Sequence, residues 1–143
     1  MGDHVKINFE IPIEGSEECE VESLWALPCG NGYKLDNIPF YAKGVSFGDV
    51  VTVEKIGDCL HMVELAESSG HSTVRLWFAD IADVQVTRKT LESFGCSSEI
   101  SDQPRLVAVD ISPSVTYDNI RAYLDEGEIN GKWDYEEACL GFL

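Results

Sequence analysis

The sequence predicts an α+β protein. A small bent antiparallel sheet or partial barrel is expected over residues 1–68, then a ferredoxin-like β-α-β-β-α half over residues 69–143, joined as a single compact domain. Before residue 68, apolar and polar residues alternate in short runs cut by Gly, Pro and Asn, with almost no helical periodicity. After it, apolar residues twice recur at helical spacing between strand-like runs. The chain has 143 residues, 44% of them apolar, which suffices for one core and is too short for two full-sized domains.

Val5, Ile7, Phe9 and Ile11 alternate with Lys6, Asn8 and Glu10, the period of a half-buried strand, and Pro12 ends it. An acidic loop with Glu14, Glu17, Glu18 and Glu20 leads to a second strand over 21–27. Pro28-Cys29-Gly30-Asn31-Gly32 turns into a third over 33–35, and Asn37-Ile38-Pro39 interrupts it, setting Phe40 and Tyr41 on an edge or bend. Gly44 and Gly48-Asp49 precede a strand over 50–56, and Gly57-Asp58 is a hairpin signal before a strand over 59–67.

In the second half, 73–78 reads as a strand. Asp80 or Asp83 caps a helix over 82–94, with Val84, Leu91 and Phe94 on one face and Gly95 at the stop. Residues 96–100 and the apolar run 106–111 are strands on either side of a turn at Asp102-Gln103-Pro104, and Ser112-Pro113 breaks the second. A helix over 117–126 ends at Gly127, and residues 134–140 form a last short helix after Gly131.

Asp and Glu total 26 against 10 Lys and Arg, a formal net charge of −16. Such a surface repels polyphosphate and anionic lipid, so neither direct nucleic-acid binding nor membrane binding is expected. It is steered instead toward a basic partner, with plain solubility as the alternative reading. No run approaches the roughly 18 apolar residues of a membrane span. The N-terminus, Met1-Gly2-Asp3-His4-Val5, lacks the basic and apolar regions of a signal peptide, so a soluble cytoplasmic protein is expected. The five cysteines contain no C-x-x-C pair and read as reduced thiols. His4, His61 and His71 lack metal-ligand spacing, and Gly30-Asn31-Gly32 and the segment 44–48 lack the phosphate-loop pattern, so no metal or cofactor is expected.

Two regions stand out for chemistry. His71, in Ser68-Ser69-Gly70-His71-Ser72-Thr73, is a candidate general base with Ser69, Ser72 or Asp36 as companions. A loop histidine bonded to backbone carbonyls is the alternative. A trio of Cys96 or Cys59, His71 or His61, and Asp110 can also be drawn, but no nucleophile-specific motif surrounds either cysteine. Near the C-terminus, Trp133 and Tyr135 are interleaved with Asp125, Glu126, Glu128, Asp134, Glu136 and Glu137. Aromatic anchors among carboxylates suit a patch for a basic protein partner. The same aromatics would equally pin a terminal element to the core.

Several strings occur in a characteristic order: Val21-Glu22-Ser23-Leu24-Trp25-Ala26, Leu35-Asp36-Asn37-Ile38-Pro39-Phe40, Gly44-Val45-Ser46-Phe47-Gly48-Asp49, Ser69-Gly70-His71-Ser72-Thr73, Arg105-Leu106-Val107-Ala108-Val109 and Trp133-Asp134-Tyr135-Glu136-Glu137-Ala138. Together they resemble a bacterial family known only as domain of unknown function 4265, over almost the whole chain. The resemblance implies a stand-alone bacterial domain and brings no reaction or cofactor with it. By analogy with other small acidic bacterial domains, the expected function is that of an immunity (antitoxin) protein, which neutralises a cognate basic toxin domain by occluding its active-site cleft. The alternatives are a small hydrolase using the His71 loop and a small-ligand-binding regulatory domain.

Overall fold

The computed structural model describes residues 3–142. Five strands, each antiparallel to the one before, form a closed barrel: β1 (Val5–Pro12), β2 (Cys19–Cys29), β3 (Gly32–Leu35), β4 (Val50–Ile56) and β5 (Cys59–Glu67). An odd number of alternating strands brings the first and last together in parallel. The closing seam is accordingly parallel and short, with Ile7 opposite Leu60 and Asn8 opposite His61. Beyond the seam the wall opens into a groove of about 720 Å³, flanked by Phe9, Ile11, Glu54, His61 and Met62. Ile7, Phe9, Leu24, Ala26, Leu35 and Val51 point inward and form the barrel core with Ala42 and Val45 from the loop between β3 and β4. Alternation on β1 is thus the cause of the barrel's inside and outside.

The second half contains β6 (Ser72–Phe78), a 3-10 turn (Ile81–Asp83), α1 (Val84–Ser93), β7 (Ser97–Ile100), β8 (Leu106–Ile111), α2 (Tyr117–Ile129) and β9 (Trp133–Cys139). Asp80 caps the 3-10 turn, its carboxylate accepting from the Ala82 N–H at 2.9 Å. The sheet order is β7-β8-β6-β9 with every neighbour antiparallel, which is the complete ferredoxin-like arrangement. The expected helix over 134–140 is instead β9, which pairs with β6 from Phe78 opposite Trp133 to Thr73 opposite Cys139. Glu and Ala favour a helix there, but β6 offers an unpaired edge and Trp133 a core position, and these prevail over local propensity.

The sheet is covered on both faces. Val74, Leu76, Phe78, Val107 and Val109 meet Val84 and Leu91 of α1 and Ile120 and Leu124 of α2. Leu106 and Ala108, on the opposite face, are fully buried as well, which explains the unbroken apolar run of β8.

The loop 36–49 joins barrel to sheet. On one side, the Glu22 carboxylate accepts from the Phe40, Tyr41 and Ala42 N–H groups at 2.7, 3.1 and 2.8 Å. On the other, the buried Arg75 guanidinium donates to the carbonyls of Tyr41, at 3.1 Å, and Ala42, and to Glu136 at 3.1 Å. The Ser46 and Thr73 hydroxyls meet at 2.8 Å, and the Gly44 N–H donates to the Ala138 carbonyl at 3.2 Å.

Helix α2 runs through Gly127, where the sequence placed its end, and continues to Ile129. The reason is packing: a Cβ at Gly127 would lie 1.9 Å from the Trp133 ring. Helical Gly→Ala ordinarily stabilises by about 0.5–1 kcal/mol. Here we expect Gly127→Ala to cost about 1–3 kcal/mol by overpacking, as read from urea unfolding. In a Trp133→Ala background the clash is gone, and the same change is expected to turn neutral or stabilising.

Candidate functional site

His71 lies in the short link between β5 and β6, and its loop is fastened from below by Asp49, which is 1% exposed. One Asp49 oxygen accepts from the Ser46 N–H at 2.8 Å and the other from the Ser69 N–H at 2.8 Å. The Ser69 hydroxyl sits 2.8 Å from both that carboxylate and the Phe47 carbonyl, and its oxygen accepts from the His71 N–H at 3.1 Å. Gly48 takes φ +83°, which a side chain rarely adopts, and a Cβ there would come within 3.2 Å of Ser69. Gly48-Asp49 is therefore more than a turn before β4: it is the anchor of the His71 loop.

The imidazole itself is oriented by Asp110 of β8. Nδ1 lies 2.8 Å from the carboxylate, and the Phe47 ring stands edge-on at 5.6 Å between centroids. An ionised carboxylate only accepts, so Nδ1 is the donor, and in the neutral imidazole the lone pair lies on Nε2. No hydrogen bond within the chain reaches Nε2 among the described residues. Burial pushes the Asp110 carboxyl above its ordinary value of 3.8, with the hydrogen bond and charge of His71 opposing. His71 borders a cleft of about 390 Å³ with Phe47 and Ser69 on its side and Lys34, Val50 and Glu67 on the barrel side.

The companions proposed for His71 divide. Ser69 is beside it, but its hydroxyl is taken up by Asp49 and Phe47. Ser72 is buried, and its oxygen accepts from the Gly141 N–H at 2.9 Å. Asp36 is not in the cluster: it pairs with His4 at 2.7 Å, next to Trp25. Of the cysteine trio, only His71 and Asp110 meet by hydrogen bond. Cys96 is buried, and desolvation first and the Asp110 charge second push its thiol up to about 11, the wrong direction for a nucleophile.

The C-terminal acidic residues are equally mixed in their placement. Trp133 is 4% exposed, packed against Phe78 and Tyr123, with its indole N–H donating to the Leu124 carbonyl at 3.0 Å. It is a core residue and cannot anchor a partner. Tyr135 is half-buried and donates its hydroxyl to Asp125, and its N–H donates to Glu128 at 3.1 Å. Burial first, then Asp125, pushes the Tyr135 phenol up to about 12. Glu136 pairs with Arg75 at 3.1 Å and Lys43 at 3.4 Å, and Glu137 accepts from the Tyr117 hydroxyl. The Glu126 and Asp134 side chains are exposed, and neither carboxylate enters a hydrogen bond or ion pair among the described residues. Trp77 and Tyr41, 45% and 40% exposed, are among the exposed aromatics, with Trp25, Phe94 and Phe142 exposed elsewhere. Trp77 projects from the same face of β6 as Arg75, directly opposite Asp134 on β9. Partial burial and then Asp102, Glu22 and Glu20 push the Tyr41 phenol up, so that ring stands among carboxylates.

The family model of a domain of unknown function, DUF4265, matches residues 22–135, which span both the barrel and the sheet. The chain belongs to this family. No curated protein matches it. The crystal structure of a hypothetical protein from Neisseria gonorrhoeae is similar, with a TM-score of 0.87 and 19% identity over 100% of this chain and 99% of that one. That likeness shows a shared fold. In this DUF4265 chain no helix of the described residues is long and apolar enough to cross a membrane, and no group of three or more His, Cys, Asp or Glu side chains among them is placed to hold a metal ion.

Two consequences follow for the His71 loop. Asp49→Ala leaves the Ser46 and Ser69 N–H groups without their acceptor and is expected to cost about 2–4 kcal/mol in urea unfolding. Because the Asp110 pKa is raised on folding, the native state holds that proton more tightly than the unfolded chain. Its contribution is complete below the ordinary value of 3.8 and is lost as pH rises through the raised value. Asp110→Asn, which cannot ionise, is expected to gain stability relative to the parent as pH rises from the ordinary value of 3.8 through the raised one. Equal pH profiles for the two proteins would refute this.

Proposed function

We propose that this chain is a binding module that neutralises a basic protein partner, in the manner of an immunity protein that covers a toxin's active-site cleft. The observation that carries the reading is the placement of Trp77 beside Asp134, an exposed indole next to a carboxylate with no partner of its own, in a chain of net charge −16. Aromatic anchors ringed by charge supply most of the energy in protein interfaces, and uncompensated acidity speeds encounter with a basic partner. In this reading the surface centres on Trp77 and Asp134 and wraps round the edge strand β9 to α2, which covers the other face of the sheet. Trp77 and Tyr41 replace Trp133 as its anchors, while Glu126 and Asp134 supply free charge. Asp125, Glu128, Glu136 and Glu137, already bonded within the chain, hold the face rigid.

The test begins with capture of the partner on the tagged protein from a lysate of the source organism, followed by association kinetics with the purified partner. A basic protein bound mole for mole, with an on-rate that falls steeply with salt, is expected. Asp134→Lys combined with Glu126→Lys should slow association about tenfold or more at low salt and flatten the salt dependence. Trp77→Ala should raise the off-rate by at least about tenfold, the effect of losing a hot-spot aromatic. If all three changes leave both rates unaltered, this face is not the interface.

A further inference from the structure

We propose that the cleft between the His71 loop and the barrel binds a small zwitterion, from an amino acid to a dipeptide in size, with its carboxylate on Lys34 and its ammonium on Glu67 and Nε2 of His71. This site is separate from the acidic face and does not depend on the reading of that face. Lys34 of β3 stands opposite Val50 of β4, and Val50 stands opposite Glu67 of β5, so one cross-strand row carries a cation, an apolar residue and an anion. Two strand spacings set the outer pair roughly 10 Å apart at the backbone, within reach of two long side chains closing on one small molecule. Neither Lys34 nor Glu67 enters an ion pair among the described residues, although surface carboxylates outnumber cations throughout the chain.

His71 lines the same cleft, and because its Nδ1 donates to the Asp110 carboxylate, 12% exposed, at 2.8 Å, the neutral imidazole keeps its lone pair on Nε2. An ammonium group supplies the donor that this acceptor lacks. Phe47 and Val50 provide apolar walls, and the volume of about 390 Å³ suits a small ligand. Asp110 acts here as a positioning residue, engaging Nδ1 and so leaving Nε2 as the nitrogen available to a ligand.

The experiment is an NMR titration of the His71 imidazole nitrogens and ring protons with leucine and with glycyl-leucine. Acetate and butylamine serve as single-charge controls. The expected result is a saturable shift with a zwitterion and Nδ1 protonated throughout. Lys34→Gln and Glu67→Gln, both exposed changes, should each weaken it about tenfold. Asp110→Asn should change the tautomer signature as well as the affinity. Absence of a saturable shift with either zwitterion overturns the proposal. So does a shift of equal strength with acetate alone, or one that survives both charge-removing variants.

Discussion

The grip on residues 40–42 is the interaction on which the rest of the architecture depends. Glu22 takes their N–H groups from the barrel side while Arg75 supplies donors to their carbonyls from the sheet side. A loop pressed between two layers must satisfy its backbone polar groups without water, and these two side chains do so. Burial lowers the Arg75 pKa, and Glu136 opposes that shift by charge and by a hydrogen bond. The guanidinium still leaves its Nε buried without a partner, so the joint carries a desolvation cost that its other bonds offset.

Everything with chemical potential hangs from this joint. The same loop continues to Ser46, Phe47 and Asp49, which hold the His71 link, and the sheet face that receives it supplies Thr73 and Asp110. Arg75 also draws Glu136 inward, leaving Asp134 on the edge strand β9 exposed beside Trp77 of β6. Charged side chains on that edge disfavour pairing of β9 with another sheet.

The sequence made most strands legible because each half of the barrel wall faces a core on one side only, as the alternation of β1 displays. It failed at β9, where Glu136, Glu137 and Ala138 carry a helical preference and the decisive fact is a free edge of β6 sixty residues upstream. It failed at Gly127 for a related reason, since the glycine answers to the Trp133 ring and not to a helix terminus. His71 was visible as a loop histidine, but its orienting partner Asp110 lies 39 residues away. A signal for that partner did exist: Asp110 and Arg75 are the charged residues inside the otherwise unbroken runs of β8 and β6, and a charge in a buried strand must find a partner. Trp77 and Tyr41, by contrast, gave no sign of exposure, because nothing local distinguishes an outward aromatic from an inward one in strand and loop.

Native-state hydrogen exchange at the amides of Phe40, Tyr41 and Ala42, compared with Leu76 in the centre of β6, tests the joint most directly. If Glu22 and Arg75 weld the loop to both layers, the three amides exchange only with global unfolding, at the same protection as Leu76. Exchange at the rate of the exposed acidic turn before β2, with Leu76 still protected, would show a loop that merely lies between two independent halves.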